Sequence, residues 1–142
     1  MRRLLTILAV LASVVAALVL TAARGDDRSA LKSYEIVFDN AFGLVEGGVL
    51  KIGGVDAGVT SDFRLTRSQP YRTIVTVEVN EPGFDSLRRD ATCDVRQQSL
   101  IGEYFIDCDL GTSKDVLPDG GRIPVEQTSS TIPPDLINNV MR

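Results

Sequence analysis

The sequence contains no histidine, no tryptophan and only two cysteines in 142 residues. Without histidine there is no Ser-His-Asp hydrolysis, no imidazole general base and no His-ligated metal. Two cysteines fall short of a four-cysteine zinc site. Aromatic residues make up 6% of the chain, too few for platforms on which nucleobases stack. The pI near 4.8 argues against a nucleic-acid partner, because phosphate-binding surfaces are basic. No GxxxxGK[ST] loop is present, so the chain does not itself cradle nucleotide phosphates. Asp90, Asp94, Asp107 and Asp109 fall at strand ends and outward positions, where solvated charge is the ordinary role. Asp107 and Asp109 alone fall well short of the roughly six to eight oxygens that calcium takes. These absences point to a protein that is not an enzyme and holds no metal or cofactor.

Charge is unevenly spread. Three of the 15 basic residues, Arg2, Arg3 and Arg24, precede Gly25, whereas all 19 acidic residues follow it. The leader thus carries +3 and the remainder −7. Between those arginines, Leu4 to Ala23 is a run of 20 uncharged residues, and about 20 apolar residues in a helix cross a hydrocarbon core about 30 Å thick. With Arg2 and Arg3 on its N-terminal side, the positive-inside rule keeps the N-terminus cytoplasmic and sends the acidic part across the membrane. The other reading is a cleaved signal segment ending at Thr21-Ala22-Ala23, although its apolar run exceeds the usual length of about 7–15 residues. Either way the rest of the chain lies in the periplasm or cell-wall space.

The expected organisation is a membrane anchor or signal segment over residues 1–24, a polar stalk over 25–33 and a β-barrel domain over 34–127. A linker over 128–142 would lead into the start of a C-terminal helix capped by Asp135. The barrel expectation rests on short β-branched runs separated by Gly, Pro, Asp and Asn. Strands are predicted at Tyr34–Phe38, Val49–Ile52, Val55–Leu65, Thr73–Val79, Ala91–Gln98, Glu103–Leu110 and Arg122–Gln127. Tyr34, Ile36 and Phe38 share one face of the first; Ile74 or Val75, with Val77 and Val79, face inward from the fourth. Gly58 inside the third suggests a bulge or a close backbone approach. The fold class is therefore all-β, a seven-stranded antiparallel barrel.

One hairpin carries the chemistry of interest. A turn centred between Leu100 and Ile101 places Cys93 and Cys108 seven positions out on either arm, directly opposite each other. Opposed residues in a non-hydrogen-bonded antiparallel pair lie about 4.5 Å apart at Cα, inside the disulfide window, and an exported domain permits the bond. The competing assignment is two buried reduced thiols. The tip reads Ser99-Leu100-Ile101-Gly102. Two large aliphatic residues are unusual at a tight turn, where Gly, Asn and Asp prevail. Such a tip either packs back on its own core or meets an apolar partner.

Phe38 to Thr60 (FDNAFGLVEGGVLKIGGVDAGVT), Ser99 to Tyr104 (SLIGEY) and Leu117 to Ile123 (LPDGGRI) together resemble the MCE (mammalian cell entry, MlaD-like) family. The first stretch is similar to that family's FDN…GL…G..V.I.GV..G.V signature, and the second to its GLLGE pore loop, with Ser99 where a Gly is common. The resemblance runs from about Tyr34 to Val125, and the residues TSSTIPPDLINNVMR resemble the linker of actinobacterial members. It implies a seven-stranded barrel assembled with other MCE subunits as a homo- or hetero-hexameric ring in an envelope ABC lipid-transport system. Leu100 and Ile101 match the apolar pore-lining residues, with Ser99 and Gly102 supporting the loop. The implied partners are a lipid or other hydrophobic substrate, further MCE subunits, an ABC permease and ATPase, and the membrane. The alternative is an anchored adhesion or structural module whose apolar tip docks onto another protein without forming a channel.

Overall fold

The structure is a computed structural model that describes residues 32–99 and 102–131. Residues 1–31, with the apolar leader and most of the stalk, lie outside the described residues, as do the tip pair Leu100 and Ile101 and residues 132–142. Among the described residues no helix is long and apolar enough to cross a membrane.

The strands are β1 (Lys32–Phe38), β2 (Val49–Ile52), β3 (Val55–Leu65), β4 (Thr73–Val79), β5 (Thr92–Gln97), β6 (Tyr104–Asp109), β7 (Gly121–Ile123) and β8 (Thr128–Ser129). They form one sheet in the order β7-β1-β4-β3-β2-β6-β5-β8. The sheet curls until its β8 edge returns to β1, where the Thr128 hydroxyl donates to the Val37 carbonyl at 2.7 Å. The all-β barrel-like architecture is as expected, but two features correct the sequence reading. Among the described residues there are eight strands rather than seven, and the sheet is mixed: β1–β7, β2–β6 and β5–β8 pair in parallel.

Alternation explains the core. Tyr34, Ile36 and Phe38 of β1 face inward, fully buried, opposite Val77, Val75 and Thr73 of β4. The choice left open on β4 falls on Val75, which is fully buried with Val77 and Val79. Ile74 lies on the other face with Val37 opposite it. Leu50, Ile52, Leu87, Ile106 and Ile123 belong to the same interior. Each such side chain contributes about 1.5–3 kcal/mol on leaving water. Tyr34 keeps its hydroxyl satisfied by donating to the Asp85 carbonyl at 2.6 Å; burial pushes its pKa up.

Strand β3 does the bending. Its pairing with β2 shifts register between Leu50 and Lys51, and its pairing with β4 shifts between Thr60 and Asp62. Ala57 and Ser61 are thereby left without opposite partners, as bulged residues are. Gly58 lies between these irregularities. A Cβ there would come within 2.0 Å of the Glu78 carbonyl oxygen, so the close backbone approach expected of this glycine is what the fold uses.

The last predicted strand, Arg122–Gln127, ends early. Ile123 is the final residue paired to β1, and Pro124 follows with no N–H to extend the ladder. Val125–Gln127 instead form a 3₁₀ turn. The polar Thr128 and Ser129, assigned to the linker in the sequence, then pair with Cys93 and Asp94 of β5. Likewise Lys32 and Ser33, assigned to the stalk, pair with Val79 and Glu78.

Strand directions place the hairpin. β1, β3, β5, β7 and β8 run one way, and β2, β4 and β6 the other. The chain therefore enters β1 at one end of the barrel. The β5–β6 turn and the exit from β8 lie at the opposite end.

Candidate functional site

The β5–β6 hairpin has the register the sequence predicts. Cys93 pairs with Cys108 and Gln97 with Tyr104. Beyond the strands, Gln98 N–H donates to the Glu103 carbonyl at 2.7 Å and Gly102 N–H to the Ser99 carbonyl at 3.1 Å. A second donor, the Gln97 side-chain amide, reaches the same Ser99 carbonyl at 2.8 Å. Gly102 has φ +97°, a conformation that side chains with a Cβ resist. Ser99 and Gly102 thus close the turn from both sides. Leu100 and Ile101 are the two residues between them in the chain, outside the described residues.

Cys93 and Cys108 are joined by a disulfide, with their Cα atoms 4.1 Å apart. The reading as two reduced thiols is set aside. Both side chains point into the core beside Ile106 and Val95.

At the stem, Tyr104 is held by the β1–β2 loop. The Phe42 ring meets it edge-on, with centroids 5.7 Å apart and planes at 75°, an arrangement that the ring quadrupoles favour. Gly43 presses its backbone against the Tyr104 ring, where a Cβ would come within 2.1 Å. Phe42 and Val45 remain exposed at 43% and 62%, so apolar surface continues from the hairpin stem onto this loop.

The outer face of the hairpin is polar. Asp94 and Asp107 lie directly opposite each other, a repulsive pairing. Arg96 relieves it, reaching Asp107 at 3.2 Å and Asp94 at 3.6 Å, while the Ser129 hydroxyl donates to Asp94 at 2.6 Å. Lys51 lies 5.3 Å from the Phe105 ring centroid and pairs with Asp56. Asp109 accepts from Gly111 N–H. Among the described residues no group of three or more Cys, Asp or Glu is placed to hold a metal ion.

Asp90 has more to do than solvation alone. Its carboxylate accepts from the backbone N–H groups of Ser113 and Thr112, and these donors hold its pKa below the usual carboxylate value. Asp119 likewise ties the β7 turn to β1 by accepting from Ser33 N–H, which lowers its pKa. Neither contact has a local sequence signal, because the donors of Asp90 lie about 22 residues further on and Ser33 lies 86 residues before Asp119.

A small barrel-like β domain with a disulfide-stapled hairpin in its wall is the class defined by this geometry. The MlaD protein family profile matches residues 32–111, from β1 through the hairpin and beyond it. The chain belongs to the MlaD family. It is 29% identical over 115 residues to the intermembrane phospholipid transport system binding protein MlaD of Haemophilus influenzae, covering 78% of this chain and 67% of that protein. In fold it is similar to a chain of the Acinetobacter MlaFEDB complex in its ATP-bound Vtrans1 conformation. That likeness has a TM-score of 0.62 at 15% identity, over 78% of this chain and 81% of the other.

Proposed function

We propose that this chain is a membrane-anchored, non-enzymatic subunit of an envelope ABC lipid-transport system. Six subunits, identical or related, assemble as a ring, and the Leu100 and Ile101 tips converge on its axis. Phospholipid, sterol or another hydrophobic molecule then passes apolar side chains instead of water. Ser99 and Gly102 support the turn. A partner permease and ATPase supply the energy, since the chain has no phosphate-binding loop of its own. The N-terminal apolar run keeps the N-terminus cytoplasmic and the barrel in the periplasm or cell-wall space. Residues 128–142, by their resemblance, assign the chain to the actinobacterial type of the family.

The observation that carries this reading is the hairpin register. It leaves two aliphatic residues between Ser99 and Gly102, within the span that matches the MlaD profile. The Haemophilus relative's role in phospholipid transport supports the substrate class. The physical need is plain: each acyl CH₂ moved into water costs about 0.8 kcal/mol, so a long tail requires continuous shelter.

The test is the double substitution Leu100→Asp with Ile101→Asp in the full chain. Assembly should persist, as judged by ring images in mild detergent, while lipid transfer between membranes is lost. Undiminished transfer would contradict the proposal. Monomers or linear contacts in place of rings would favour the adhesion module.

A further inference from the structure

Cys93 and Cys108 are 0% and 2% exposed. Thiol–disulfide exchange requires a thiolate to reach an accessible sulfur. The folded barrel buries both residues and offers no such approach, so the bond forms before the barrel is complete. The topology identifies which strands must still be absent. β5 and β6 are neighbours in sequence, and a hairpin of this kind pairs in about 1–10 μs, which sets the two cysteines face to face. The strands that then flank them come from far away in the chain. Cys108 lies beside Ile52 of β2, and its carbonyl accepts from Gly53 N–H at 3.0 Å. Cys93 lies beside Thr128 of β8, the last strand in chain order among the described residues. Until β8 docks, the Cys93 edge of the hairpin has no neighbouring strand and the sheet is not curled shut on that side.

We infer that the chain is a substrate of an extracytoplasmic thiol–disulfide oxidoreductase of the C-x-x-C class, which oxidises the β5–β6 hairpin before β8 closes the barrel. One cysteine thiolate attacks the disulfide of that enzyme, forming a mixed disulfide and releasing the enzyme's second sulfur as a thiolate. The thiolate of the other cysteine then attacks the chain's own sulfur in the mixed disulfide. The Cys93–Cys108 bond forms and the enzyme departs as a dithiol. Two electrons pass from the chain to the enzyme, and the two cysteine protons end on the enzyme's sulfurs. This inference requires export of the chain but not lipid transport, so the two proposals fail separately.

The full chain is pulse-labelled in bacterial cells with and without the oxidoreductase, and free thiols are trapped at intervals with a mass-shifting alkylating reagent. Cys108→Ser should be captured through Cys93 as a covalent adduct with the enzyme that a reductant releases. The unsubstituted chain should lose both alkylatable thiols before it becomes protease-resistant, and removing the enzyme should slow that loss about tenfold or more. An unchanged rate of oxidation without the enzyme would overturn the inference even if the substituted chain failed to fold. So would a protease-resistant chain whose two thiols still react and close only later.

Discussion

The wall formed by β1, β4 and β3 and the β5–β6 hairpin are held in different ways. β4 pairs over seven positions with β1 and over seven with β3, and these inward valines meet the largest side chains of the core. The hairpin is attached to the rest of the sheet by three pairs to β2 and two to β8. Its internal order comes from six pairs of its own and the disulfide. The wall is thus held by two long ladders, one of them between the distant strands β1 and β4, and the hairpin by a short ladder and a local staple. The element that presents the tip does not depend on deep laddering to keep its register.

That contrast can be broken from the wall side with the largest effect. Phe38→Ala empties a fully buried aromatic site and should cost about 3–5 kcal/mol, measured by chemical denaturation, with hydrogen exchange rising across the whole barrel. From the hairpin side, replacing Cys93 and Cys108 together with Ala should cost about 3 kcal/mol, the value expected for a loop of about 15 residues. Here exchange should rise first in β5 and β6 while β1 and β4 stay protected. Equal loosening of both regions would remove the distinction. Gly58→Ala tests the bend between them. A methyl group within 2.0 Å of the Glu78 carbonyl forces the backbone apart and should cost about 1–3 kcal/mol, seen as a lower Tm.

The smallest effect belongs to the outer face of the wall. Glu35 accepts from Arg122 and Arg64, and these hydrogen bonds, Arg122's first, hold its pKa below the ordinary carboxylate value. A lowered pKa means that the contribution is complete above the ordinary carboxylate range and is lost as pH falls through the lowered value. The arginine side chains are 52% and 56% exposed, so solvent screens the network. Glu35→Gln should therefore cost at most about 1 kcal/mol at neutral pH, and the difference should vanish in acid. A cost that persists after the carboxylate is protonated would contradict the ion-pair account.

Much of this was legible in the sequence where side-chain period and local spacing determine structure. The alternating runs of β1 and β4 mark their own inward faces, and the equal spacing of the two cysteines about the turn fixes the hairpin register. What stayed hidden depends on partners distant in the chain. Thr128 and Ser129 carry no apolar pattern, and they become a strand only because β5 offers an open edge. The parallel pairing of β6 with β2, and of β7 with β1, leaves no trace in either strand alone. Pro124, which stops β7, was visible, but its effect required knowing that β1 was the strand to be followed. The Phe42–Tyr104 contact joins two segments far apart in sequence, so neither ring announces the other. Asp90 resembled solvated charge because its donors lie some 22 residues on.

The central claim is that the hairpin tip faces other copies and a lipid path. Placing a photo-crosslinking residue at position 100 of the full chain in its membrane tests it most directly. The account predicts crosslinks to the same hairpin of a neighbouring copy and to lipid. Crosslinks confined to the chain's own β-sheet, with no lipid adduct, would contradict it.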